Sequence, residues 1–170
     1  SGERIFEILD AVSPVTERPG AEPLGRVTGH VAFENVSFSY DGGSPVLKDI
    51  NVEVKSGQTV ALLGRPGSGK TTLIHLLSRY YDVTGGRITI DGTDVRDVLL
   101  TSLRDNIGLV QQDVFIHTAT IKENIAYGAA DAPLQRAVEM AKIAQLHEFI
   151  ADLPDGYDSL VGERGVGLSG

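Results

Sequence analysis

A glycine-rich segment between an apolar run and a helix pattern limits the folds open to this chain. Residues 64–71 read G-R-P-G-S-G-K-T and match the spacing G-x-x-x-x-G-K-[ST]. The preceding run, Thr59–Leu63, is continuous and apolar, which is typical of a strand buried on both faces. Leucine and isoleucine then recur with helical spacing over residues 73–77. A strand, a glycine loop and a helix in this order predict an α/β architecture around a buried sheet.

The residue types in this segment suit the binding of phosphate. Glycine lets backbone N–H groups curl around phosphate oxygens without side chains in the way. The helix that follows Gly69 points its first N–H groups and its positive dipole end at the same anion. We expect Lys70 to reach the β and γ phosphates and Thr71 to offer its hydroxyl to Mg²⁺. The alternative, a plain glycine turn, is disfavoured because both flanking patterns fit a phosphate loop.

Composition excludes several other classes of function. The 170 residues include no cysteine, which rules out a disulfide framework, a thiolate metal site and a cysteine nucleophile. The four histidines show no metal-ligand spacing. A net charge of −8 argues against broad nucleic-acid binding, which needs a basic face. No apolar run approaches the roughly 18 residues of a membrane span.

The chain divides into four predicted segments. Residues 1–26 combine a helix end with a linker interrupted by proline, and residues 27–58 alternate with a period of two, which predicts antiparallel strands. Residues 59–112 hold the glycine loop and a second predicted buried strand, Ile107–Val110. Residues 113–170 are predicted to be helical up to about residue 153, with helices over 121–125, 133–143 and 145–153.

Three short segments outside the loop resemble motifs of the ABC transporter ATPases, in the family's order and spacing. Residues 38–40 (F-S-Y) resemble the aromatic that stacks on adenine, and residues 110–113 (V-Q-Q-D) resemble the Q-loop. Residues 162–165 (G-E-R-G), followed by L-S-G at 168–170, resemble the exporter-type X-loop and the start of the LSGGQ signature. By this resemblance the chain is identified as a nucleotide-binding domain of an ABC exporter of the multidrug or lipid type.

The resemblance implies a fold, two cofactors and a set of roles. The fold would be an α/β, RecA-like P-loop NTPase core with an N-terminal antiparallel β subdomain and a helical subdomain, its C-terminal part missing. ATP and Mg²⁺ would bind. Lys70 and Gln112 would be catalytic, Thr71 and Gln112 would contact Mg²⁺, and Tyr40 would stack on adenine. The implied nucleotide contacts are Tyr40, Gly64, Arg65, Pro66, Gly67, Ser68, Gly69, Lys70, Thr71, Thr72, Gln112 and, in trans, Ser169.

The resemblance also implies partners and a location. The domain would couple ATP binding and hydrolysis to export. It would work with a transmembrane domain preceding Ser1 and with a second, identical or paralogous nucleotide-binding domain, head to tail. It would lie at the cytoplasmic face of the membrane, with Glu163 near the membrane domain's loops and with no nucleic acid bound. The transported substrate is not readable from these residues.

Two further expectations come from the family's order of motifs. The Walker B strand, catalytic glutamate and switch histidine would follow Gly170, so we expect this chain alone to bind nucleotide weakly at best and not to hydrolyse ATP. Thr59–Leu63 and Ile107–Val110 would then lack neighbouring strands.

The alternative function is a soluble ABC-type ATPase acting on nucleic acid or the ribosome, which the X-loop and the net negative charge disfavour. A GTPase or a small-molecule kinase is a less favoured function, since the N-K-x-D segment that reads guanine is absent from the sequence. A non-catalytic binding module is a further alternative that stays open.

Overall fold

The computed structural model describes Phe6, Ser13 and residues 15–112, 115–129 and 131–162. It divides into two compact units, Ser1–Leu109 and Val110–Gly170. The predicted N-terminal helix end lies outside the described residues apart from Phe6, which is helical. Along the described ranges, no helix is both long enough and apolar enough to cross a membrane.

The first unit is built on a four-stranded antiparallel sheet in the order β2-β1-β3-β4. The predicted antiparallel part is therefore confirmed for β1 and β2. The other two strands come from the chain after the glycine loop, so the sheet joins segments that the sequence analysis separated at residue 58. The strands are β1, Val31–Phe38; β2, Leu47–Val54; β3, Gly85–Ile90; and β4, Thr93–Asp94.

Between residues 15 and 109, this unit also contains two helices and two short 3-10 turns. Helix α1 spans Lys70–Leu77 and helix α2 spans Leu100–Asp105, with 3-10 turns at Tyr40–Gly42 and Val95–Asp97. Apolar side chains from both helices and the sheet form one core, and full burial of such a side chain stabilises the fold by about 1.5–3 kcal/mol. The buried members are Phe33, Val36, Phe38, Leu47, Leu76, Ile88, Ile90, Val95, Val98 and Leu103.

The two predicted buried strands are not strands in this structure. Thr59–Leu63 and Ile107–Val110 have no strand or helix assignment, and Leu63 and Val110 are 92% and 96% exposed. A strand buried on both faces needs a hydrogen-bonded partner on each side. Neither segment pairs with a strand among the described residues, so the prediction of burial is wrong here.

The described part of the predicted linker is held against the first unit by backbone contacts. Glu22 forms a parallel bridge with Val98: its N–H donates to the Asp97 carbonyl at 3.0 Å and its carbonyl accepts from the Leu99 N–H at 3.0 Å. Val15 is buried at its start. Apart from this bridge, residues 15–26 have no regular secondary structure.

Over its described residues, the second unit combines three helices with a two-stranded antiparallel sheet. Strand β5, Ala119–Thr120, pairs with β6, Leu160–Val161, and a 3-10 turn at Gly156–Asp158 precedes β6. The three helices are α3, Ile121–Ile125; α4, Leu134–Ile143; and α5, His147–Ala151. The sequence predicts helices over 121–125, 133–143 and 145–153, and the structure has one helix within each range. At the start of α3, Thr120 and Glu123 form a capping box. The buried core of the second unit includes Ile121, Ala141, Ile150 and Val161.

Candidate nucleotide-binding site

The glycine loop folds into a tight turn that leads directly into helix α1. The Ser68 N–H donates to the Arg65 carbonyl at 3.1 Å, and Gly67, the third residue of the turn, has a φ of +80°. A turn with proline second and a left-handed glycine third is a type II β-turn, which explains Pro66 as well as Gly67. The turn curves the backbone so that the loop closes over the start of the helix.

Gly69 caps the N-terminus of α1 in the left-handed conformation, with a φ of +87°. The first intrahelical bond runs from the Leu73 N–H to the Gly69 carbonyl at 3.0 Å. The N–H groups of the first helical turn, from Lys70 to Thr72, therefore lack intrahelical acceptors and point out of the helix end. These donors and the positive end of the helix dipole favour an anion at this position.

At two glycines of the loop, a neighbouring side chain lies close to where a Cβ would be, and at Gly69 the backbone is also left-handed. A Cβ on Gly64 would lie 2.5 Å from the Ser68 Oγ, and a Cβ on Gly69 would lie 2.6 Å from Leu47 Cδ2. Leu47 is a buried core residue at the start of β2. The loop therefore packs its backbone directly onto the sheet.

The Lys70 ammonium lies inside the curve of the loop. Its Nζ donates to the Gly64 carbonyl at 2.8 Å and to the Arg65 carbonyl at 2.9 Å, and it lies 3.4 Å from the Ser68 Oγ. An ammonium has three donors and no acceptor, so these contacts use its full hydrogen-bonding capacity. The Lys70 side chain therefore holds a positive charge within the loop that leads into α1.

A cavity of about 280 Å³ lies along this loop. The structure brings Tyr40 to it from before β2, as the resemblance implies. Val46, which the sequence analysis did not select, also lines the cavity because it directly precedes β2 beside Gly69. No local sequence signal distinguishes this valine from other strand residues. The full lining is Tyr40, Val46, Gly67, Ser68, Gly69, Lys70, Thr71 and Thr72.

Tyr40 lines the cavity with a ring fixed by its neighbours. Its hydroxyl shares a 3.0 Å hydrogen bond with the Thr72 Oγ1. Its ring packs nearly perpendicular to Phe38 and Tyr81, with centroid distances of 4.7 and 5.1 Å. The side chain is still 38% exposed, so the ring keeps surface available for a planar ligand.

The remaining residues selected from the sequence fall in the range of the second unit, Val110–Gly170. Gln112 is exposed at a bend of that unit, while Asp113, Glu163 and Ser169 lie outside the described residues. Within the part of the chain that the structure describes, no group of three or more histidine, aspartate or glutamate side chains could hold a metal ion. The hydroxyl of Thr71 and the amide oxygen of Gln112 are hard oxygen donors of the kind Mg²⁺ accepts alongside phosphate oxygens and water. Each of these two side chains, taken separately, has the donor chemistry that Mg²⁺ accepts.

The model of the ABC transporter family matches residues 47–170, which include the loop, α1 and the second unit. The chain belongs to the ABC transporter family. Its similarity to a solved structure of a bacterial Atm1-family ABC exporter with ATP bound has a TM-score of 0.88 at 43% identity, over 99% of this chain and 30% of that one. The predicted fold, a P-loop NTPase with an N-terminal antiparallel sheet and helices, is thereby confirmed.

Curated relatives of this ABC family member carry exporter names. The chain is 48% identical over 171 residues to the Bacillus subtilis (strain 168) protein YgaD, named a multidrug export ATP-binding/permease protein. It is also 48% identical over 167 residues to a protein of the same name type in Staphylococcus aureus (strain NCTC 8325 / PS 47). The matches cover 100% and 98% of this chain but 30% and 29% of those proteins. The chain therefore spans about a third of the length of these relatives.

Proposed function

We propose that this chain binds MgATP in the loop cavity and forms part of the ATP-hydrolysing domain of an exporter. The observation that carries the proposal is the cavity itself, where free helix N–H groups, the Lys70 ammonium and the Tyr40 ring line one space. Phosphate at one end and a planar base at the other match those two kinds of surface. The names of the relatives, ATP-binding/permease proteins for export, support the same reading.

In the proposed complex, the loop and α1 bind the triphosphate. The N–H groups of the first helical turn donate to phosphate oxygens, and Lys70 exchanges its bonds to the Gly64 and Arg65 carbonyls for stronger, charge-assisted bonds to the β and γ phosphates. Thr71 and Gln112 are the residues that would hold Mg²⁺, and the ion would supply positive charge that offsets the negative charge developing on the phosphate during transfer. Gln112 would also orient the attacking water through its neutral amide.

The base end of the proposed site is assigned to Tyr40. Its exposed ring offers a face on which adenine can stack, and each such base–aromatic contact contributes about 1–3 kcal/mol. The remaining loop residues selected from the sequence, including Arg65, Pro66 and Ser68, act through the turn that they form. Their backbone positions set the curvature around the phosphates.

The wider assignment concerns partners and location. We place the chain beside a transmembrane domain at the cytoplasmic face of the membrane, paired head to tail with a second nucleotide-binding domain. Ser169 would contact the γ-phosphate of the ATP bound to that second domain. The names of the relatives, which join ATP-binding and permease functions, support this assignment. Residues 27–58, 59–112 and 113–170 are proposed as the β, core and helical segments of the domain, after a linker at 1–26.

The test is ATP hydrolysis and transport by the complete protein containing this chain, reconstituted in lipid vesicles. Lys70→Ala is expected to lower kcat by at least about 100-fold, because it removes a preorganised charge from the transferring phosphate. Lys48→Ala is the matched control, since Lys48 lies on β2, exposed and outside the loop. Full turnover by the Lys70 variant, or turnover of MgGTP in preference to MgATP, would refute the proposal.

A further inference from the structure

We infer that Thr72 is a positioning residue for the nucleobase, holding the Tyr40 ring in the orientation that the base meets. This inference rests on the proposed function, since it assumes that Tyr40 contacts the base. The residue-level observation is the 3.0 Å hydrogen bond between the Tyr40 hydroxyl and the Thr72 Oγ1. It joins the first turn of α1, where phosphate is proposed to bind, to the ring that is proposed to contact the base.

The contacts of Tyr40 show what the hydrogen bond adds. Phe38 and Tyr81 pack against the ring, which limits how far it can shift but supplies no directional bond. The hydroxyl at the tip of the ring has one partner among the described side chains, Thr72. Removing that bond leaves the ring in apolar contacts alone, so it can tilt away from the cavity.

Thr72 is suited to this role because it is fixed itself. Its side chain is 6% exposed, on the first turn of α1, while it still contributes to the lining of the cavity. A buried hydroxyl needs a hydrogen-bond partner. Tyr40 supplies that partner, so the two side chains satisfy each other and couple the position of the ring to the helix end.

A competing role for the same hydroxyl is direct contact with a phosphate. The two roles differ in which ligands they affect. A positioning role acts through Tyr40 and concerns only ligands that carry a base. A direct phosphate contact concerns every polyphosphate, including inorganic tripolyphosphate, which has no base.

The experiment measures the Kd of MgATP and of Mg²⁺-tripolyphosphate by titration calorimetry on the complete protein containing this chain. Thr72→Val and Tyr40→Phe are each expected to weaken MgATP binding about three- to tenfold, the effect of one hydrogen bond. The double variant is expected to bind MgATP no more weakly than either single variant. Tripolyphosphate binding is expected to change less than twofold in all of them.

Two further variants keep a loss of folding from being read as a loss of positioning. Thr72→Ser retains the hydroxyl and is expected to restore MgATP affinity to near the wild-type value. Tyr80→Phe removes a tyrosine hydroxyl outside the cavity and is expected to change neither Kd. Equal weakening of both ligands by Thr72→Val, no weakening of either ligand, or additive losses in the double variant would each overturn the inference.

A Tyr40→Ala variant separates this inference from the proposed function. If Tyr40→Ala weakens MgATP binding and Thr72→Val does not, the positioning role is refuted while base stacking stands. If Tyr40→Ala binds MgATP as tightly as the wild type, base stacking at Tyr40 is refuted, and the role of Thr72 with it.

Discussion

Replacing Gly69 with alanine tests how closely the phosphate loop packs on the sheet. Gly69 has a φ of +87°, and a side chain in that left-handed region costs about 1–2 kcal/mol. The added Cβ would also lie 2.6 Å from Leu47 Cδ2, and forcing an extra carbon against a buried core residue costs about 1–3 kcal/mol. We therefore expect Gly69→Ala to lower the free energy of unfolding by roughly 2–5 kcal/mol.

Gly67→Ala is the matched control for that change. Gly67 has a similar φ of +80°, but its Cβ would meet no atom within 4 Å, so only the conformational cost of about 1–2 kcal/mol applies. Urea denaturation followed by circular dichroism compares the two variants. In a Leu47→Ala background, which removes the clash, the cost of Gly69→Ala should fall to that of Gly67→Ala. Equal costs for both glycines in the wild-type background would refute this packing argument.

Two further changes test contacts that stabilise the first unit. The pKa of Asp91 is lowered to about 2, mainly because the Thr28 hydroxyl and then the His30 N–H donate to its carboxylate. The ionised Asp91 carboxylate therefore stabilises the fold fully above about pH 4, and this contribution is lost as the pH falls toward 2. Asp91→Asn should flatten the dependence of the urea midpoint on pH over that interval. An unchanged slope in this variant would contradict the prediction. The Arg79 side chain is 1% exposed and donates to Asp82 at 2.8 Å and to the Thr16 carbonyl at 2.9 Å. Arg79→Met should lower the free energy of unfolding by about 2–3 kcal/mol, toward the low end for a broken buried pair, because Asp82 is partly hydrated. A free energy of unfolding within about 0.5 kcal/mol of the wild-type value would contradict this prediction.

Sequence reasoning was most successful where the cause is local. The turn of the glycine loop and the start of α1 at Lys70 are set by backbone conformation and by bonds within a few residues. The same holds for the helices of the second unit, whose apolar spacing is contained in each segment. The arrival of Tyr40 beside the loop followed from family resemblance, since nothing in the local pattern places it there.

Sequence reasoning failed where the structure depends on distant partners. The apolar run Thr59–Leu63 was predicted as a buried strand, but apolar composition does not supply the ladder that a strand needs, and no strand in the described ranges pairs with it. The pairing of β3 with β1 was also missed, because it joins residues on opposite sides of the loop. The Tyr40–Thr72 hydrogen bond likewise depends on the tertiary fold.

Photoaffinity labelling tests the central claim, that the loop cavity binds ATP with its base at Tyr40. The complete protein containing this chain is irradiated with 2-azido-ATP and Mg²⁺, and the labelled peptide is identified by mass spectrometry. The label is expected in the peptide that contains Tyr40, to be displaced by excess MgATP and to be lost in Lys70→Ala. Labelling of a peptide that does not line the cavity, or labelling that survives the Lys70 change, would contradict the assignment of this site.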